Sequence, residues 1–181
     1  MRSAWHRALA LLALVTASSG GAAFAAGRVP AAFEFSLQTL RAARIPILLP
    51  TVFAQARLND PKRTFVTAVA GEHVYSLQID DTIDCNGANV CSEGRFLGTD
   101  AVRPPGHSED DWIFVPGRRV KLAGGLVGGY SETVSGASGG GNSYLRFTRT
   151  GARYGIVTRI ASQTELVKIA NSAIQNGVVR P

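Results

Sequence analysis

The chain is expected to fold as α+β: an antiparallel sheet with a C-terminal helix, and a short N-terminal one, packed on one face. Three observations carry this. The middle of the chain alternates apolar and polar residues in short runs broken by turn signals, the period of half-buried strands. Ser162-Gln-Thr-Glu165 is a capping box. Behind it Leu166, Ile169, Ala170, Ala173 and Ile174 recur at helical spacing as one apolar stripe, closed by Gly177. A helix with one such stripe, arriving after strands, buries it against a sheet face.

The elements follow in order. Residues 1–25 read as a secretory signal peptide: Arg2, His6 and Arg7, then the apolar run Ala8 to Val15, then small residues ending in Ala23-Phe24-Ala25. Cleavage there leaves 156 of the 181 residues, a single exported domain over 26–181. Arg2 and Arg7 leave with the leader, so the formal charge falls from +6 to +4. Phe33 to Arg44 reads as a helix capped by Ser36, and Ile45-Pro-Ile-Leu-Leu-Pro50 as an extended apolar segment. Thr64–Ala70 and His73–Ile79 form a strand pair turning at Gly71-Glu72, with Tyr75, Leu77 and Ile79 on one face. Gly94 to Val102 resumes a strand, and 103–111 is a polar loop. A second pair is expected over Asp111–Val115 and Arg118–Tyr130, its glycines 124, 125, 128 and 129 marking a bulge or a close backbone approach. A Gly/Ser-rich loop spans 135–142. Tyr144–Arg149 and Ala152–Ile160 are the clearest hairpin, turning at Thr150-Gly151.

Cys85 and Cys91 are the two cysteines, six apart around an Asn86-Gly87 turn. In an exported chain they read as one disulfide, worth up to about 2.4 kcal/mol on the chain-entropy model. Zinc needs four ligands, and no histidine stands near the pair to supply them. Asp80, Asp81 and Asp84, with Asn86, Asn89 and Glu93, crowd oxygen ligands of the kind calcium takes, though without EF-hand spacing. The competing reading is that these are turn formers. Gly136-Ala-Ser-Gly-Gly140 has the letters of a nucleophile elbow, yet an elbow needs a strand before it and a helix after it, and Ser138 sits in a low-complexity glycine run. His107 with Glu109, Asp110 and Asp111 is a polar loop holding one histidine. No cofactor motif is present.

The cystine loop Asp84–Cys91, Gly151-Ala-Arg-Tyr154 and Ile169-Ala-Asn-Ser-Ala-Ile174 resemble those of a group of small exported bacterial proteins of uncharacterised function. Thr150-Gly-Ala-Arg-Tyr154 also resembles, over five residues, the Ser-Gly-x-x-Tyr segment that periplasmic C-type lysozyme inhibitors place in the enzyme's active site. That resemblance implies Arg153 and Tyr154 as a plug for an acidic cleft. The late hairpin gathers Arg146, Arg149, Arg153, Tyr154 and Arg159, residue types favoured in recognition surfaces. The expectation is a non-enzymatic periplasmic or secreted binding protein whose partner is another protein or an anionic envelope polymer, not nucleic acid. A small envelope hydrolase and a structural module of an envelope assembly are the alternatives.

Overall fold

The computed structural model describes residues 27–85, 91–101, 113, 116–134, 141–159 and 161–180. The expected signal peptide, most of the glycine-rich loop with Ser138, and the His107 loop lie outside them. So do Asn86 and Asn89 and, apart from Ile113, the expected strand over 111–115.

Seven strands make one antiparallel sheet: β2 (Phe65–Gly71), β3 (Val74–Asp80), β4 (Ser92–Asp100), β5 (Arg118–Lys121), β6 (Val127–Val134), β7 (Gly141–Arg149) and β8 (Ala152–Arg159). Their spatial order is β2-β3-β4-β8-β7-β6-β5. β1 (Ile47–Leu48) pairs separately with β9 (Val178–Val179). α1 (Leu37–Leu40) and α2 (Gln163–Asn176) are the α-helices among the described residues. The architecture is α+β, with α2 packed against the sheet as its stripe requires.

Tyr75, Leu77 and Ile79 of β3, Phe96 of β4, Leu145 and Phe147 of β7, and Tyr154 and Ile156 of β8 point to one face. All are buried there with Leu166, Ile169, Ala170, Ala173 and Ile174 of α2. The helix begins as its capping box dictates: Ser162 Oγ accepts from Glu165 N while Glu165 Oε2 accepts from Ser162 N. Its polar residues tie down the loops around it. Asn171 Oδ1 accepts from Ala123 N, Ser172 Oγ from Thr51 N, and Asn176 Nδ2 donates to the carbonyls of Arg28 and Leu49. The Ala-Asn-Ser-Ala-Ile run therefore reads in the fold as two buried alanines and an isoleucine alternating with anchors for distant chain.

Three local expectations are corrected. The N-terminal helix is a 3-10 turn over Ala31–Ser36 followed by a single α turn, and Ser36 makes no cap; its Oγ reaches Val66 O. Burying Phe33 and Ser36, three residues apart, suits the three-residue 3-10 repeat. Arg118–Tyr130 is not one strand: Gly124 and Gly125, at φ 66° and 74°, turn the chain between β5 and β6. Glu72-His73, rather than Gly71-Glu72, makes the β2–β3 turn, so Gly71 pairs with Val74. The late hairpin turns where expected, with Thr150 and Gly151 at φ 49° and 77°, the left-handed pair of a two-residue turn.

Both sheet edges are protected. β5 carries Arg118, Arg119 and Lys121 in four residues, and the N-terminal turn lies against β2 through Ser36. Cys85 and Cys91 form the expected disulfide between β3 and β4, a bond that persists in an oxidising compartment. No helix among the described residues is long and apolar enough to cross a membrane.

Candidate functional site

The five residues of the expected recognition surface separate. Strand alternation places Tyr154 and Arg149 on the helix-covered face and Arg146, Arg153 and Arg159 on the opposite, open face. Tyr154 is fully buried, stacked on Phe147 with ring centroids 5.3 Å apart, and its hydroxyl donates to Pro46 O at 2.7 Å. Burial pushes its pKa up, while nearby Arg149 works in the other direction. It is a core residue, and the plug expected of Arg153 with Tyr154 loses its aromatic member. Arg149 is half-buried, and its Nη1 donates to Ile174 O at 2.7 Å, a cation at the negative end of α2. These two belong to the framework.

Arg146 is buried although it faces away from the core. Gly129, its cross-strand partner, makes room: a Cβ there would stand 3.2 Å from Arg146 Nε. Arg146 Nη1 donates to Ser131 Oγ, and burial holds the guanidinium below its ordinary pKa. Arg146, Arg153 and Arg119 line a hollow of about 320 Å³ walled by Ile113, with no carboxylate among its described lining residues.

A larger hollow, about 430 Å³, lies on the open face. Register builds it. Thr67, Gln78, Arg95 and Val157 are opposed in one row across β2, β3, β4 and β8. Beyond that row Asp80 opposes Ser92, and Asn142 opposes Arg159. Gly94 keeps the floor closed, since a Cβ would come within van der Waals radii of the Val157 carbonyl. The volume is that of a small-ligand site, but most of its lining residues are polar, where those of most such sites are apolar.

Gln78 organises the lining. Its Nε2 donates to Asp80 Oδ1 at 2.9 Å and to Ser92 Oγ at 2.6 Å, and its Oε1 faces Arg95 Nε at 3.5 Å. The amide orientation follows from these partners, with hydrogens toward the acid and oxygen toward the guanidinium. Asp80 is only 4% exposed. Cys91 of the disulfide adjoins this wall: Asp81 N donates to Cys91 O, immediately beside the Asp80–Ser92 pair.

Of the calcium candidates, Asp80 enters this hollow while Asp81 and Asp84 are exposed outside its lining. The described residues contain no group of three or more His, Cys, Asp or Glu placed to hold a metal ion. His73 lies in the β2–β3 turn with Nδ1 3.7 Å from Asp100 Oδ2, exposed and away from both hollows.

Sequence reasoning picked out Asp80 and Arg159 and missed Arg95, Gln78 and Asn142 as site residues. Their signal was parity alone: each is a polar residue on the outward side of a strand. Residues 67, 78 and 95 meet 142 and 159 only through the β4–β8 pairing, between strands far apart in the chain. Comparison with protein-family models, curated proteins and solved structures finds no match for this chain.

Proposed function

We propose that this protein is an exported, non-enzymatic binding protein of the bacterial envelope that holds an anionic, polar partner on the open face of its sheet. The observation that carries the reading is the charge of the two hollows. One is lined by Arg95 and Arg159 against a single described carboxylate, Asp80; the other is lined by Arg119, Arg146 and Arg153. Guanidinium groups recognise carboxylates and phosphates through paired, directional hydrogen bonds. A rigid sheet holds them in place without ordering a loop, which lowers the entropic cost of binding. Export follows from the basic-apolar-small order of residues 1–25 and is supported by the disulfide. An acidic protein cleft, such as that of a lysozyme-like enzyme, and an anionic envelope polymer both offer the complementary charge.

The test immobilises the oxidised 26–181 chain and presents envelope extract, isolated peptidoglycan and a C-type lysozyme in parallel. Retention of an anionic partner is expected. It should weaken at least tenfold, about 1.4 kcal/mol, when Arg95 and Arg159 are both replaced by Gln. Retention should also fall as salt rises from about 0.05 to about 0.5 M, as screened charge contacts do. Binding indifferent to the double substitution, or turnover of any of these materials, overturns the proposal.

A further inference from the structure

Asp80 is a buried carboxylate in an unusual position. Its hydrogen bond comes from the neutral amide of Gln78, and it forms no ion pair among the described residues. A carboxylate accepts up to about four hydrogen bonds, and taking one out of water beside a neutral partner alone is costly. Arg95, of opposite charge, stands on the far side of the same amide. The two poles therefore face one hollow at a separation of two hydrogen bonds and one amide group, bridged by Gln78 and not joined to each other. Arg159 adds a second cation on the side away from Asp80, across β4 and β8.

A molecule with an ammonium and a carboxylate on one carbon spans the same interval, with one hydrogen bond to each pole and its own short framework between. We infer that the hollow is a site for the zwitterionic end of an α-amino acid, its ammonium at Asp80 and its carboxylate at Arg95 and Arg159. Thr67, Ser92 and Asn142 then face the substituent on the central carbon. The ligand is either a free amino acid or a diamino-acid side chain of a cell-wall peptide, which carries the same group. This rests on the binding reading above and gives it a ligand class.

The test is a titration followed by backbone amide NMR and calorimetry, with alanine, N-acetylalanine and alaninamide as probes and intact or chemically N-acetylated peptidoglycan as the polymer arm. Alanine should bind at least tenfold more tightly than either blocked form. Asp80→Asn keeps an oxygen to accept from Gln78 and should abolish alanine's advantage over N-acetylalanine, with thermal unfolding confirming the fold. Peptidoglycan binding that is lost on N-acetylation, with alanine bound weakly, identifies the polymer as the source. N-acetylalanine binding as tightly as alanine, or peptidoglycan binding indifferent to N-acetylation, overturns the zwitterion and leaves an anion-binding face. Failure of every probe and of both polymer forms overturns this inference and, with a negative pull-down, the binding reading beneath it.

Discussion

Tyr75 and Tyr154 project from neighbouring regions of the sheet and hold the same stretch of chain. Tyr75 Oη accepts from Leu48 N at 3.0 Å and donates to Leu48 O at 2.9 Å, while Tyr154 donates to Pro46 O. The backbone of β1 thereby gains partners that its two-residue pairing with β9 does not supply. Tyr75→Phe leaves a buried N–H and a buried C=O without that partner and should cost about 2–4 kcal/mol, read from the denaturant midpoint at constant slope. Burial, and secondarily the neighbouring Tyr154, pushes the Tyr75 pKa well above its ordinary value of 10.0, against the Leu48 hydrogen bond. Tyr154 is raised in the same direction by burial. In the unfolded chain both release their protons near pH 10 while the native state keeps them, so the native state binds more protons above that pH. Stability should be flat with respect to these groups below about pH 10 and fall as pH rises beyond it. A denaturation series from pH 8 to 11 checks the sign, and Tyr75→Phe should make the fall shallower.

Among the elements, α2 is the one whose ends and face are all accounted for. Ser162 and Glu165 close its start, the apolar stripe fixes its rotation, and Arg149 meets the carbonyl of Ile174 near its end. Hydrogen bonds from the Ser162 backbone and side chain lower the Glu165 pKa. That stabilisation is present above the ordinary carboxylate range and is lost as pH falls through the depressed value. Glu165 is exposed, so solvent screening keeps the electrostatic part small. Ser162→Ala should cost about 1 kcal/mol at neutral pH, and the penalty should shrink on acidification. Unfolding curves of the two proteins at pH 7 and pH 3 give the comparison. By contrast, the segment after Pro30 has weak helical signals, and its form was set by what it packs against.

At the scale of the whole molecule, the disulfide and the sheet contribute unequally. Cys85–Cys91 closes a short loop between β3 and β4, strands that already pair over most of their length. Reduction should therefore leave a folded protein, destabilised by no more than about 2.4 kcal/mol. Near-ultraviolet circular dichroism with and without reductant, followed by a melt, tests this. Because Cys91 adjoins Asp80 and Ser92, affinity for the ligand proposed in the larger hollow should drop on reduction even while the fold persists.

Much of this architecture is local and therefore legible along the chain. The capping box and stripe of α2, the Thr150-Gly151 turn and the alternation of Tyr75, Leu77 and Ile79 each depend on residues within a few positions of one another. Dihedral preference and side-chain period act at that range and need no knowledge of the partner. What lay beyond it was the assignment of faces. Arg149 and Tyr154 belong with Arg153 in sequence and not in space, because alternation sends neighbours to opposite sides and only the seat of α2 decides which side is covered. The polar hollow is a product of register, since Gln78, Arg95, Asn142 and Arg159 come together through three inter-strand pairings. The sequence by itself determined the C-terminal helix, the late hairpin, the fold class and the pairing of the cysteines. Only the tertiary structure decided which polar residues share a cavity and which aromatic is core, because burial and register are properties of distant segments in contact.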